Sequence, residues 1–180
     1  MQELRLTPIS FIVLGFVDWA GETTPYGLKQ LVAASVGNFW TLQHAQLYSE
    51  PERLAKAGYL TERRERGGRR RKLYEITATG REALAAWRAE PTDAIPELRA
   101  PALLKLFFGA EPAELAPLQI ESCRRKLEEY ERIRETMPAD VPQGPRLALD
   151  AGIANARQQI EWWEGVMVSA DGHRSGTAPG

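Results

Sequence analysis

Most apolar residues of the chain recur at the spacing of an α-helix. The first such run begins at Pro8, after the capping residue Thr7, and is apolar on nearly every side until Gly21 ends it. This pattern predicts a central, buried helix. The same arrangement opens a second helix at Thr24 and closes it at Gly37.

A third segment mixes polar and apolar residues at helical spacing between Thr41, a plausible cap, and Gly58, a stop. Pro51 lies inside it, and an internal proline removes one hydrogen bond and clashes with the residue four positions earlier. We therefore expect either a kink near Pro51 or two abutting helices, with Ser49 capping the second.

Polar and apolar residues then alternate through two short stretches, which predicts strands at about 59–66 and 69–76 around a Gly-Gly turn. In that register Arg64 faces Arg71, so like charges oppose one another across the hairpin. A fourth helix is expected from about residue 77 to residue 90.

Three prolines between positions 91 and 101 break the pattern and predict a linker. Beyond them we expect a short apolar helix ended by Gly109, then two long helices. The predicted divisions are an N-terminal domain at 1–90, a linker at 91–99, a C-terminal helical domain at 100–170 and a disordered tail at 171–180.

The two long helices carry apolar residues at alternating steps of three and four, which is a heptad seam. This seam could pack within one chain as an antiparallel hairpin, or it could pair with a second copy. Because two such helices alone bury only part of their apolar surface, we expect dimerisation. The residues expected to form the dimer interface are Ile120, Leu127, Tyr130, Leu149, Ile153, Ile160, Trp163 and Met167.

Charge adds a candidate function to this outline. The formal net charge is −1, but residues 1–90 hold 13 basic and 10 acidic side chains, and the stretch 63–72 holds seven basic residues against one glutamate. Such a run favours binding to a polyanion, which would weaken steeply with salt through counterion release. A merely solvated hairpin is the alternative.

Helix, helix, turn, helix and hairpin is the order of a winged helix–turn–helix, in which the third helix enters the major groove and the wing touches the flanking backbone. The predicted fold is mainly α with one small β-hairpin: a winged helix–turn–helix followed by a coiled-coil-like antiparallel domain of long helices. Two residues in the following list have an alternative role: Tyr48 could belong to the core, and His44 could serve only to support the start of the third helix. The residues expected to contact DNA are Thr41, Gln43, His44, Gln46, Tyr48, Ser49, Arg53, Arg64, Arg66, Arg69, Arg70, Arg71 and Lys72.

The sequence offers few residues or motifs for a disulfide, for catalysis or for a membrane span. The single cysteine, Cys123, excludes an intramolecular disulfide, and no Gly-rich phosphate loop, HExxH or GxSxG motif is present. The longest apolar run is too short to span a bilayer. We expect a cytoplasmic protein that is not an enzyme and that holds neither a metal nor a cofactor.

The stretches "QLY…ERLAKAGYL", "GGRRRKLYEIT" and "TATGREAL" are similar to those of a known family. Over nearly all of residues 4–170 the chain resembles a PadR-like transcriptional regulator of the longer, AphA-like subgroup. Pro51 departs from the pattern of many relatives, in which that helix runs on unbroken.

The resemblance implies a homodimer that binds a near-palindromic operator in double-stranded DNA, usually as a repressor. Some members of the family respond to phenolic acids or flat aromatic drugs, so it also allows a small aromatic effector, which the sequence does not identify. The rival function is a winged helix whose basic wing binds an acidic protein partner instead of DNA.

Overall fold

The computed structural model describes residues 4–65 and 71–175, with side chains as far as residue 169. The chain divides between Ala94 and Ile95 into two compact units. This division falls in an exposed segment, 91–99, that carries no helix or strand.

The first unit is helical apart from one two-stranded antiparallel sheet, as the sequence predicts. Local signals set several of its boundaries: Gly21 ends the first helix with φ 73°, and Thr77 caps the fourth by accepting a 3.1 Å hydrogen bond from the Gly80 amide. The elements are α1 (Pro8–Ala20), α2 (Pro25–Ala33), a short 3₁₀ helix (Val36–Asn38), α3 (Gln46–Lys56), β1 (Leu60–Arg64), β2 (Lys72–Ile76) and α4 (Ala78–Ala89).

The boundaries of α2 and α3 differ from the predicted ones. Helix α2 ends at Ala33 and not at Gly37: the Ser35 amide donates to the Val32 carbonyl, three positions back, at 3.1 Å, while the Ser35 hydroxyl donates to the Leu31 carbonyl at 2.6 Å. Thr41 does not cap α3, which begins only at Gln46.

Pro51 does not divide α3, so the predicted pair of abutting helices is wrong. The helix continues from Gln46 to Lys56 with Pro51 inside it, and Ser49 donates to the Ala45 carbonyl at 3.3 Å instead of capping a second helix. Pro51 is fully buried, and the packing of its ring offsets the hydrogen bond that it cannot donate to the Leu47 carbonyl.

The hairpin register differs by one residue from the predicted one. Leu60 pairs with Ile76 and Arg64 pairs with Lys72, whereas the Gly-Gly turn would have placed Arg64 opposite Arg71. The observed register places the two apolar residues Leu60 and Ile76 on the same face, where both are buried, and a one-residue slip would break that match. The residues of the predicted turn lie outside the described residues.

The core of the first unit surrounds α1, as its apolar sequence predicts. Val13, Leu14 and Val17 have no exposed surface. Strand β2 is joined to the segment after α1 by an isolated bridge between Thr23 and Tyr74, with backbone hydrogen bonds of 2.8 and 3.0 Å. The other fully or nearly buried apolar residues are Ile9, Phe16, Leu28, Val32, Leu47, Leu54, Leu60, Tyr74, Ile76 and Leu84.

The second unit contains α5 (Pro101–Phe107), α6 (Pro112–Thr136) and α7 (Gln143–Ser175). Helices α6 and α7 pack as an antiparallel hairpin, and two ion pairs join their outer surfaces, Arg124–Glu164 at 2.7 Å and Arg157–Glu131 at 2.8 Å. Helix α7 continues to Ser175, past the start of the predicted tail at residue 171. Positions 176–180 lie outside the described residues.

The heptad seam packs inside the chain. Ile120, Tyr130, Ile153 and Trp163 are buried within the monomer, and a Cβ on Gly152 would lie 3.0 Å from the Tyr130 ring, so α6 and α7 approach closely there. Their own chain thus already covers most of the surface of these four residues, which were expected at a dimer interface. The remaining residues expected at the interface, Leu127, Leu149, Ile160 and Met167, are half-buried.

Candidate nucleic-acid interface

Exposed polar side chains surround the start of α3. Gln46 and Ser49 lie on the helix, whereas Gln43 and His44 precede it, and so does Thr41. The sequence therefore brought them together correctly but placed Gln43 and His44 on the helix and made Thr41 its cap, whereas all three precede its first residue. All five side chains are exposed.

The positions of Tyr48 and His44 bear on the alternatives that the sequence leaves open for them. Tyr48 is 49% exposed, which excludes a place in the core. The His44 carbonyl accepts a 3.2 Å hydrogen bond from the Leu47 amide, so its backbone supports the helix start while its imidazole remains exposed.

Helix α3 has two distinct faces. Leu47, Glu50, Pro51 and Leu54 are buried, and they anchor the helix in the core. Positions 49, 52 and 56 are separated by three and then four residues, and so they share the opposite, outward face. This outward face is acidic at Glu52 and basic at Lys56.

Arg53 has a different environment from the one the sequence predicts. Its Nε and Nη2 donate to the two Glu50 carboxylate oxygens at 2.8 and 2.6 Å, and Nη2 also donates to the Ser10 hydroxyl at 3.0 Å. Because Ser10 belongs to α1, this network joins α1 to α3. Arg53 thus helps to hold α3 against α1.

Glu50 is the buried acid of that network. Burial opposes its ionisation, but hydrogen bonds from Arg53 and from Ser10, the latter at 2.6 Å, outweigh burial and hold the pKa of Glu50 below its usual value. The carboxylate is therefore charged at neutral pH although it is only 7% exposed.

The hairpin presents basic side chains beside α3. Arg64 is exposed and lies 3.8 Å from Glu62, and Arg71 is also exposed. Arg63 forms an ion pair with Glu22, in which Nη2 of Arg63 lies 2.7 Å from a carboxylate oxygen of Glu22. The predicted contacts Arg66, Arg69 and Arg70 lie outside the described residues.

Lys72 lies between α3 and the hairpin instead of projecting freely. Its Nζ is 3.1 Å from Glu52 and 3.3 Å from Glu62, and these contacts, first of all the hydrogen bond to Glu52, raise its pKa. Glu62 also accepts a 3.1 Å hydrogen bond from the hydroxyl of Tyr74. Burial and that same hydrogen bond raise the pKa of Tyr74 to about 12. An open groove between α3 and the strands has Glu52, Lys56, Thr61, Glu62, Arg64 and Lys72 in its lining.

Sequence reasoning found the basic residues of this region but missed their acidic partners. Glu52 lies four positions before Lys56, a spacing that is visible in the sequence and that forms a 3.1 Å ion pair. The pairs Glu52–Lys72 and Glu22–Arg63 join residues far apart in the chain, so no local signal could have revealed them.

Within residues 4–65 and 71–175, no helix is long and apolar enough to cross a membrane. The same part of the chain contains no group of three or more His, Cys, Asp or Glu side chains that could hold a metal ion.

Each of the two units matches the model of a known protein family. Residues 13–86 match the model described as the Transcriptional regulator PadR-like family, and residues 98–167 match the model Virulence activator alpha C-term. A curated relative, the negative transcriptional regulator PadR of Bacillus subtilis (strain 168), is 26% identical over 181 residues, covering 91% of this chain and 97% of the relative.

Solved structures share the fold. Bacillus subtilis PadR in complex with operator DNA has a TM-score of 0.80 at 22% identity, covering 91% of this chain and 99% of that one. The Vibrio cholerae virulence activator AphA has a TM-score of 0.70 at 26% identity, covering 92% and 99%. Bacillus subtilis PadR has also been solved with p-coumaric acid, and that structure has a TM-score of 0.74 at 22% identity, covering 93% and 99%.

Proposed function

This chain belongs to the PadR-like family of transcriptional regulators, and on that premise we propose that it represses transcription as a homodimer bound to a near-palindromic operator. The observation that carries the proposal is the exposed polar start of α3 beside a basic hairpin. An exposed helix end and an adjoining ribbon are the two parts with which a winged helix reads and grips duplex DNA.

The proposed contacts divide into two groups by chemistry. Gln46 has an amide that can pair with the edge of an adenine, and Gln43 and His44 are close enough in sequence to assist it. Arg64 and Arg71 suit phosphates, which position the protein without reading sequence. Thr41, Tyr48 and Ser49 are proposed to touch the sugar–phosphate backbone, and Arg66, Arg69 and Arg70 complete the basic wing.

The second unit is proposed to supply the dimer interface through side chains that its own packing leaves uncovered. Phe107 is 83% exposed and Phe108 is 78% exposed, and Leu104 and Leu118 are exposed as well. Exposed apolar patches of this kind mark protein–protein contacts. A symmetric pair of copies would then present two α3 helices to two half-sites.

Two further parts of the proposal follow from the relatives. Because Bacillus subtilis PadR has been solved with p-coumaric acid, we propose a small aromatic effector for this chain too. Since the proposed partner is the chromosome, we place the protein in the cytoplasm, where it acts by binding and not by a chemical step.

The test is a gel-shift series on the upstream region of its own gene and of the neighbouring genes, at low and high salt. We expect a shift that weakens steeply with salt, since phosphate contacts release counterions. The Gln46→Ala variant should keep its salt dependence but discriminate less between operator and mutated operator. A loss of about 1–3 kcal/mol of discrimination is expected for one good base contact.

The control repeats the binding experiment with the wild-type protein and with an acidic protein or polyglutamate in place of DNA. Absence of any DNA shift at low salt, together with saturable binding to the acidic polymer, would replace the proposal by the protein-interaction alternative.

A further inference from the structure

Among the basic residues of the hairpin that the structure describes, Lys72 has a charge that two carboxylates engage within the protein. Its Nζ lies within 3.3 Å of both Glu52 on α3 and Glu62 on β1, and its side chain is only 31% exposed. The preceding residue, Arg71, is exposed. Adjacent positions of one basic run therefore have different environments, which composition alone does not reveal.

Glu52 explains why a lysine is needed at this position. It lies on the outward face of α3, the face that would approach DNA, where an uncompensated carboxylate would repel phosphates. Two ammonium groups compensate it, Lys72 at 3.1 Å and Lys56 at 3.1 Å, and hydrogen bonds from both lower the pKa of Glu52. The positive charge of Lys72 is thus offset locally.

The other end of this network is rigid. Tyr74, which is 1% exposed, donates its hydroxyl to Glu62, and its backbone is fixed by two hydrogen bonds to Thr23. A continuous path of contacts therefore runs from the core through Tyr74, Glu62 and Lys72 to Glu52. This path links the hairpin to α3 through side-chain contacts.

We propose that Lys72 is a positioning residue for operator binding: it locks the wing against α3 and offsets the charge of Glu52, and it does not itself contact a phosphate. The inference rests on the proposed function and refines it, because it separates one lysine of the basic run from the arginines beside it.

The experiment compares Lys72→Met with the matched neighbour variant Arg71→Met, measuring operator affinity over a range of salt concentrations. A lost phosphate contact flattens the slope of log K against log salt by about one. We expect that change for Arg71→Met. For Lys72→Met we expect a slope within about 0.3 of wild type and an affinity lower by about two- to five-fold, the size of an exposed ion pair.

A rescue variant separates positioning from phosphate contact. If Lys72 acts by offsetting Glu52, the loss caused by Lys72→Met should be smaller in a Glu52→Gln background than in wild type. If Lys72 contacts phosphate, the loss should be the same in both backgrounds. Thermal unfolding without DNA verifies that each variant remains folded.

The outcomes also distinguish this inference from the proposed function. Wild type that fails to bind DNA at low salt would overturn both. Wild type that binds DNA, with Lys72→Met flattening the salt slope as much as Arg71→Met does and with no rescue by Glu52→Gln, would overturn the positioning role alone.

Discussion

At Glu50 a carboxylate is almost completely buried between two helices and still carries its charge. It does so because the Ser10 hydroxyl and two nitrogens of Arg53 donate to it. The sequence shows a glutamate and an arginine three positions apart, which is a common surface pair. It does not show that Ser10, forty positions earlier, completes the site, and so the sequence alone predicts a DNA contact for Arg53.

The first prediction concerns the acid stability of this network. Because the pKa of Glu50 is lowered on folding, its contribution to stability is present above its ordinary value of 4.5 and is lost as the pH falls through the lower folded value. Glu50→Gln should cost about 1.5–3 kcal/mol of unfolding free energy at neutral pH, typical of hydrogen bonds to a charged group. Below pH 4.5 the difference from wild type should shrink. Urea unfolding at several pH values measures both.

Glu82→Gln is the matched control for that experiment, because Glu82 lies on the exposed surface of α4. Its unfolding free energy should stay close to that of wild type. A constant difference between Glu50→Gln and wild type from neutral pH to acid would contradict the interpretation.

At the scale of single elements, the sequence predicts what depends on neighbours along the chain. Helix α1 begins at Pro8 and ends before Gly21 as expected, since caps and stops are local chemistry. The hairpin register was not predictable from its Gly-Gly pair, because the burial of Leu60 against Ile76 decided it. Tertiary packing also decided that α3 continues through Pro51.

The second prediction tests the close approach of α4 to Tyr59, which directly precedes β1, and to Ile76, the last residue of β2. A Cβ on Gly80 would collide with the Tyr59 carbonyl and lie 2.7 Å from a side-chain carbon of Ile76. Gly80→Ala should therefore destabilise the protein by about 1–3 kcal/mol, as overpacking does. Denaturant unfolding measures the change.

Gly15 provides the matched control inside α1, since a Cβ there meets nothing within 4 Å. Gly15→Ala should stabilise the protein by about 0.5–1 kcal/mol, because alanine loses less backbone entropy than glycine in a helix. Equal effects of the two substitutions would show that helix propensity, not the Tyr59 contact, governs position 80.

At the scale of the whole molecule, the order of elements and the basic run were enough to predict the fold class and DNA binding, and the resemblance of the motifs to a known family implied the regulatory function. The interface residues were not predictable in the same way. A heptad seam indicates that a helix packs along another helix, but it does not say whether the other helix belongs to the same chain. Here Ile153 and Trp163 are buried by their own chain.

The third prediction follows from the side chains that remain exposed in the second unit. Phe107→Asp should dissociate the proposed homodimer and weaken operator binding, because a desolvated carboxylate opposes an apolar contact. Sedimentation velocity at several concentrations measures the assembly state. Since Phe107 is 83% exposed, the substitution should leave the fold of the monomer intact.

Ile95→Asp is the matched control, because Ile95 is also exposed and apolar but lies in the segment without helix or strand. It should remain dimeric. A dimer that survives Phe107→Asp at low micromolar concentration would place the interface elsewhere on the chain.

The pairing of β2 with Thr23 has a consequence for behaviour at high concentration. That bridge occupies part of the outer edge of β2, so the longer open strand edge in the described hairpin belongs to β1. Unpaired strand edges recruit other molecules into amyloid-like ladders, and charged side chains discourage this. Glu62, Arg63 and Arg64 follow one another along that edge. The protein should consequently resist fibril formation during concentration and storage.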